Sequence, residues 1–365
     1  MAGESSAVGT PPDGHRPSRY RGAMPGEVLT IDGLDRRYDA RRPTVEDVPA
    51  VTALLRAHQI AAHGSASVDP DMVETNLVGY GSWTRRQALV FDHGTLVAWL
   101  SVHDRAAGRS MVGVTISPEV ADADAAAMAS ALFGCAERLA REIAHTRQLH
   151  GTLLDSGAYE TDTRQQQWLS DYGFEKVRTW LQMTRPVTAQ DATDVPPPRK
   201  GVTVRLVRQH PDGLPVAQDL QAVHRVLEES FQDHFSSYRE SFPEFIMRLR
   251  EDPGHRWDHW WLATVEVDGE QLPAGAVVTT VLPEDAEGFE GTYVDYIGVH
   301  RRARGRGVAK SLLNTVISET ARRGGNRVGL EVDADSPTGA DGLYTSMGWV
   351  TTYRTQSWHL DLDLR

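Results

Sequence analysis

Cysteine is almost missing from this chain: Cys135 is the only one in 365 residues. A single thiol excludes an intrachain disulfide, a cysteine-ligated zinc cluster and a Cys-x-x-Cys redox pair. It sits in an alanine-rich stretch of helical spacing, Ala125 to Arg141, where the expected state is a buried, inert thiol. Long apolar runs are also absent, since none approaches the roughly 20 residues that cross a bilayer. The start, Met1-Ala-Gly-Glu-Ser-Ser, lacks the charged-then-apolar profile of a secretory signal. These absences predict a cytoplasmic protein with no membrane partner. There is no excess of positive charge either: 38 Lys and Arg against 50 Asp and Glu leave a net charge of −12. That balance argues against a nucleic-acid partner.

The length is about twice that of a common domain, so two domains are expected. Residues 1–29 are rich in Gly, Pro, Ser and Arg without periodicity and read as a disordered arm. A second break, Pro186 to Gly201, contains three consecutive prolines, which cannot continue a helix or a central strand. Residues 188–200 therefore read as a stiff linker between blocks 30–187 and 201–365. The blocks echo each other. Gln167-Trp-Leu-Ser-Asp-Tyr-Gly-Phe174 parallels Gly342-Leu-Tyr-Thr-Ser-Met-Gly-Trp349. Each block opens with a short strand, then a helix with apolar spacing (Val48, Val51, Leu54, Leu55; Leu220, Val223, Val226, Leu227), then a strand pair around Asp92-His-Gly or Asp268-Gly-Glu. The pattern predicts a tandem duplication of an α/β (α+β) unit around a central sheet.

The halves differ at one junction. In the second, Val294-Asp-Tyr-Ile-Gly-Val-His-Arg-Arg-Ala-Arg-Gly-Arg-Gly-Val-Ala-Lys310 runs from a strand pattern into a glycine and arginine loop that opens a helix. Gly305 and Gly307 allow close backbone approach, and the amides from Gly305 to Ala309 can face one anion. Arg301, Arg302, Arg304, Arg306 and Lys310 make this a local positive site on an acidic protein, as a polyphosphate ligand requires. In the first half the corresponding run, Ser117-Pro-Glu-Val-Ala-Asp-Ala-Asp-Ala-Ala126, has no glycine pair, no arginine and three acids, which would repel a pyrophosphate.

The pattern Arg304-x-x-Gly307-x-Ala309, followed by Arg327 to Asp335 and by Leu343-Tyr344-x-x-x-Gly348-Trp349, resembles the GNAT acyltransferase superfamily. Tandem architecture with the active copy second, and Val332-Asp-Ala-Asp-Ser-Pro-Thr-Gly339 before the Leu-Tyr motif, is similar to the mycothiol synthase group of that superfamily. The stretch Glu229-Ser-Phe-Gln-Asp-His-Phe235 resembles a substrate-side helix of that group. The resemblance implies two GNAT domains, each with a mixed, mostly antiparallel sheet flanked by helices, the first degenerate and the second catalytic. It implies acetyl-CoA as acyl donor, no metal, and direct transfer to the primary amine of a small molecule in a ternary complex. That amine could belong to a specialised metabolite, an antibiotic or a thiol precursor, and the protein would be a monomer or homodimer. A mycothiol synthase step on a cysteinyl amine, or a non-catalytic acyl-CoA sensor, are the alternatives. Ser336 stands where relatives usually carry Asn, and Tyr293 where they often carry a Glu base.

On this resemblance, Ile297, Gly298, Val299, Arg304, Gly305, Arg306, Gly307, Val308, Ala309 and Ser336 are expected to hold coenzyme A. A backbone N–H near Ile297 or Val299 would meet the thioester carbonyl. Tyr344 would be the general acid; the first half has no tyrosine counterpart, Trp168 standing nearest. Strand alternation places Tyr293, Asp295, Ile297 and Val299 on one face, which makes Asp295 its only carboxylate and a candidate base. His234, Asp233 and Glu331 are rival bases.

Overall fold

The computed structural model describes residues 25–79, 81, 84–105, 108–231, 240–267, 270–335 and 339–364. The first half runs β1 (Tyr38–Arg41), α1 (Val48–His63), α2 (Pro70–Val78), β2 (Arg85–Asp92), β3 (Thr95–Arg105), β4 (Arg109–Ile116), α3 (Asp122–Thr146), β5 (Gly151–Tyr159), α4 (Thr163–Tyr172) and β6 (Glu175–Pro186). One short helix, α5 (Asp191–Asp194), lies in the linker. The second half repeats the order: β7 (Val202–Leu206), α6 (Ala217–Ser230), α7 (Phe242–Arg250), β8 (His255–Val267), β9 (Glu270–Leu282), β10 (Gly291–Val299), α8 (Val308–Arg322), β11 (Arg327–Asp333), α9 (Ala340–Ser346) and β12 (Val350–Asp363).

Local chemistry fixes many of the joints. His93 and Gly94, both at positive φ (47° and 84°), form the two-residue turn between β2 and β3, whose twist suits a hairpin. Gly173 and Gly348, at φ 101° and 95°, end α4 and α9 alike; Phe174 N–H donates to Leu169 O, and Trp349 N–H to Tyr344 O. The linker is docked, not free. Val195 packs against the second core, and Ser318 and Asn314 of α8 donate side-chain hydrogen bonds to Ala192 O and Pro196 O at 3.1 and 3.3 Å. The expected arm also ends earlier than 29: Leu29 N–H donates to Ala40 O and Arg42 N–H to Glu27 O, which lays residues 27–29 along β1.

The two expected sheets are one. Its order is β1-β2-β3-β4-β5-β12-β6-β11-β10-β9-β8-β7. The last strand of the second half, β12, inserts between β5 and β6 of the first, and β6 in turn separates β12 from β11. Each half thus completes its sheet with the other's final strand.

Apolar residues alternate along the strands to two faces. On one face α3 and α4 cover a core with Leu100, Val114 and Leu154, while α8 and α9 cover another with Val277, Leu312 and Leu330. On the opposite face α1 and α2 cover Leu89, and α6 and α7 cover Trp260, Leu262 and Val278. Between these helix pairs the opposite face of β12, β6 and β11 is a cleft floor that carries Tyr353, Thr355, Gln182 and Glu331. Register places Gln182 beside both Tyr353 and Glu331. At one end Arg85 of the first half pairs with Glu251 after α7 at 3.2 Å, so the halves touch across the cleft.

Candidate active site

The central strand β10 splits from its neighbour. It pairs in parallel with β11 only from Gly291 to Val294, and beyond that point keeps only its antiparallel partner β9. His300 N–H donates to Ala274 O at 2.9 Å. The two-residue alternation of an antiparallel ladder then turns the N–H groups of Gly298 and Tyr296 to β9 as well, and those of Ile297 and Val299 into the open gap. Two donors are therefore presented where no strand receives them. Gly298, expected with them as cofactor-binding, is required by packing in any case: a Cβ there would lie 2.9 Å from Leu227 and from Ser230 of α6.

At the split, register shifts between Val294 and Tyr296, so Asp295 is the extra residue of a β-bulge. This corrects the expected face. Val294, Ile297 and Val299 all pack toward α8, whereas Tyr296 packs among the residues of α6 and α7. Asp295 shares the α6 and α7 side, near Arg248, Asp252 and the Thr280 hydroxyl. Its Oδ2 is sealed from solvent and accepts no hydrogen bond among the described residues. Burial, reinforced by the Asp252 carboxylate, pushes its carboxyl up to about 7, against the opposing pull of Thr280 and Arg248. A carboxylate raised toward neutrality at the point where β10 leaves β11 suits proton abstraction.

Glu331, the rival on the cleft floor, is exposed to the cleft yet crowded from its sides, which raises its carboxyl; it accepts a hydrogen bond from Gln182 Nε2. Tyr293 lies within its influence and that of Asp295, and burial holds its phenol well above the ordinary range. His234, Asp233 and Ser336 lie outside the described residues.

On the other face of the gap, Tyr344 of α9 is 7% exposed and lies in the same cluster as Ile297 and Val299, edge-on to Trp349 at 5.9 Å. Burial raises its phenol to about 12. Beyond the gap comes the loop. Gly305 and Gly307 take φ of 78° and 84°, and Gly307 caps α8. Ser311 N–H is the first of the helix to find a helical acceptor, Gly307 O, which leaves the N–H groups of Val308, Ala309 and Lys310 pointing out. No carboxylate pairs with Arg301, Arg302, Arg304, Arg306 or Lys310 among the described residues, while Arg199 of the linker lies over Gly307 and donates to Gly305 O at 3.4 Å. An anion at this helix start would meet amides, dipole and cations together.

Comparison with known proteins agrees with this geometry. Residues 220–349 match the Acetyltransferase (GNAT) family. A GCN5-related N-acetyltransferase from Sphaerobacter thermophilus is similar in fold, with a TM-score of 0.69 at 23% identity over 90% of this chain and 97% of that one. A tandem GNAT protein from the clavulanic acid biosynthesis pathway gives 0.61 at 14% identity, over 89% of this chain and 98% of that one. Saccharomyces cerevisiae N-myristoyltransferase with bound myristoyl-CoA gives 0.54 at 11% identity, over 90% and 80%. No curated protein matches the sequence. The fold is GNAT-like, in tandem.

The first GNAT-like half is built on the same plan but closed at its own gap. There β4 pairs with β5 only from Arg109 to Met111. Gln165 of α4, 3% exposed, donates to Val114 O at 3.3 Å inside the resulting gap, and Arg164 donates to Pro118 O and Val120 O and pairs with Asp122 at 3.2 Å. Aligning the glycines that end α4 and α9 sets Gln165 opposite Ala340, so the plug has no counterpart in the second half. The same alignment puts Leu169, not Trp168, opposite Tyr344. Sequence reasoning missed Gln165 because a glutamine in a polar helix carries no local sign that it faces a strand. It missed Tyr353, whose ring stacks on His63 at 4.3 Å, because β12 belongs to the distant half.

Proposed function

We propose that this protein is an acetyl-CoA-dependent N-acyltransferase whose second half transfers an acetyl group to the primary amine of a small molecule, directly within a ternary complex. The observation that carries the reading is the opening between β10 and β11, with free N–H groups in it, cationic helix start beyond it and a carboxylate of near-neutral pKa on its far side. Coenzyme A is the group these residues fit: Arg304, Arg306, Lys310 and the amides of Val308 to Lys310 suit its phosphates, and Ile297 and Val299 suit the pantetheine arm and thioester carbonyl. The acceptor enters from the α6 and α7 face.

Asp295 takes a proton from the ammonium of the acceptor, which frees the lone pair for attack on the thioester carbon. The Ile297 or Val299 N–H stabilises the oxyanion, a donor worth roughly 3 kcal/mol. A C–N bond forms, the C–S bond breaks, and the thiolate leaves on the side of Tyr344, where the proton shed by the acylated nitrogen, carried by solvent, completes the thiol. A phenol raised to about 12 stays protonated at neutral pH. Tyr344 therefore stabilises the thiolate by hydrogen bonding, with full transfer of its proton opposed by the gap from a free thiol's pKa of about 8.5. The mycothiol synthase step, acylation of a cysteinyl amine, is a narrower form of the same chemistry.

The test is thiol release from acetyl-CoA by the purified protein against a panel of small amines. Turnover that disappears in Asp295→Asn supports the assignment. Tight acetyl-CoA binding without turnover on any amine would leave a non-catalytic acyl-CoA sensor.

A further inference from the structure

Resting on the acyltransferase reading, we propose that the acceptor carries a small oxyanion, such as a carboxylate, beside the amine that is acylated, and that Arg105 receives it. Three arginines from separate elements converge at the end of the cleft. Arg85 opens β2, Arg105 ends β3 and Arg248 lies in α7. Arg85 is 7% exposed, its Nη2 is 3.2 Å from Glu251, and its Nη1 is sealed without a hydrogen-bond partner. Arg248 is held by both oxygens of Glu240, at 2.8 and 2.6 Å, and its guanidinium lies 5.4 Å from the ring centre of Tyr296.

Arg105 lies among Arg248, Tyr296, Glu240 and Arg109. The carboxylates there are committed: Glu240 to Arg248, Glu251 to Arg85, and Asp155 to Arg109. None is within ion-pair distance of the Arg105 guanidinium among the described residues. His103 sits cross-strand from Arg85 and adds no compensation; burial, with Arg85, Arg105 and Arg248 nearby, pushes its imidazole down to about 3.

An arginine always keeps its charge, and a partly desolvated one without a counter-ion is costly to hold. Arg85 and Arg248 show how this protein neutralises arginines that serve structure: each has its own glutamate. Among the described residues Arg105 has none, and the two-residue alternation of β3 sets it on the same face as His103, the face that α1 and α2 cover and that continues into the cleft. Its position completes the argument. Tyr296 follows Asp295 directly, so an oxyanion on Arg105 anchors an acceptor within reach of the base, with Asp295 and Glu331 left to meet the amine. A guanidinium fork takes carboxylate and phosphate alike, so the common chemistry is a planar or tetrahedral oxyanion.

The experiment compares matched acceptors in the thiol-release assay: lysine against cadaverine for a carboxylate, and glucosamine 6-phosphate against glucosamine for a phosphate. The anionic member of one pair is expected to have kcat/KM about tenfold higher or more, carried in KM. Arg105→Gln should erase that advantage while Arg105→Lys keeps part of it. Equal rates within both pairs, or an Arg105→Gln variant that slows both members equally, would overturn the proposal. If no amine is turned over, the acyltransferase reading fails, and the site is decided separately by heating protein saturated with CoA in the presence of malonate. Malonate should raise the Tm of the wild type and not of Arg105→Gln; the same response in both proteins removes the site.

Discussion

Replacing Asp295 by Asn should make the protein more stable and less active, two effects that a merely structural aspartate would not combine. The Asp295 carboxyl is held near 7 against an ordinary 3.8. At 1.36 kcal/mol per pK unit this difference corresponds to about 4 kcal/mol, and screening by water in the cleft leaves ~2–4 kcal/mol. The sign follows from proton counts. Between about 4 and 7 the folded protein holds a proton on Asp295 that the unfolded chain has released, so stability falls as pH rises through that window. Above 7 the full penalty remains. The Asn variant has no such penalty, so its advantage should be negligible near pH 4 and largest at pH 8. Unfolding entropy scales with length, and for 365 residues unfolding as one unit roughly 1 kcal/mol shifts Tm by about 1.3 °C. Calorimetry at pH 8 should therefore find the variant about 3–5 °C higher. In parallel, wild-type kcat/KM should rise with pH through an apparent pKa near 7, while the variant loses that limb and about 10²–10⁴-fold in rate. A variant whose Tm difference is the same at pH 4 and pH 8, or whose rate keeps the limb near 7, would refute the reasoning.

Tyr344→Phe should lower kcat about 10²-fold while calorimetric affinity for CoA stays unchanged; retained turnover would remove Tyr344 from the chemistry. Titration calorimetry should find one acetyl-CoA per chain, because Gln165 and Arg164 fill the first half's gap and Asp122 opens its helix, and a stoichiometry of two would contradict that. Residues 201–365 expressed alone lack β6, which leaves β11 and β12 without the strand that joins them. That fragment should fail to unfold cooperatively, as circular dichroism during heating would show, and a cooperative fragment that binds CoA would refute the role given to the exchange.

The legible parts of this protein are those written locally. A left-handed glycine ends α4 and α9 in the same way, and two hairpins turn at corresponding places, so the duplication could be read from the chain. The cationic loop was visible because its glycines, arginines and helix start are contiguous. What escaped depends on contacts between distant residues. Strict alternation gives Tyr293, Asp295, Ile297 and Val299 one face, and a single extra residue at Asp295 reverses it. Nothing around a bulge needs to announce it when both faces of the strand are partly covered. The exchange of β12 and β6 was equally hidden, because a strand's pattern records which face is apolar and not which neighbour it joins. The grouping of Arg85, Arg105 and Arg248 is assembled by the closure of two halves and has no trace in spacing.

On the proposed function, the bulge and the exchange together give a half without a phosphate loop a part in catalysis. The bulge directs Asp295 to the α6 and α7 face while Ile297, Val299 and Tyr344 remain on the α8 side, so on that reading donor and acceptor approach from opposite faces and meet only at the gap between β10 and β11. An acceptor on that face needs a floor and a second wall, and the second half alone provides neither beyond β11. The exchange supplies the floor by bringing Gln182 of β6 and Tyr353 of β12 alongside Glu331. The first half supplies the wall through α1, where His63 stacks on Tyr353, and through Arg85 and Arg105 at the far end. On the same reading, closing its own gap with Gln165 removes the first half's place for coenzyme A, yet leaves the cleft-facing surface untouched, because the plug enters from the α3 and α4 side. If the second half is the acyltransferase proposed above, one copy has given up the cofactor and still shapes what the other acylates.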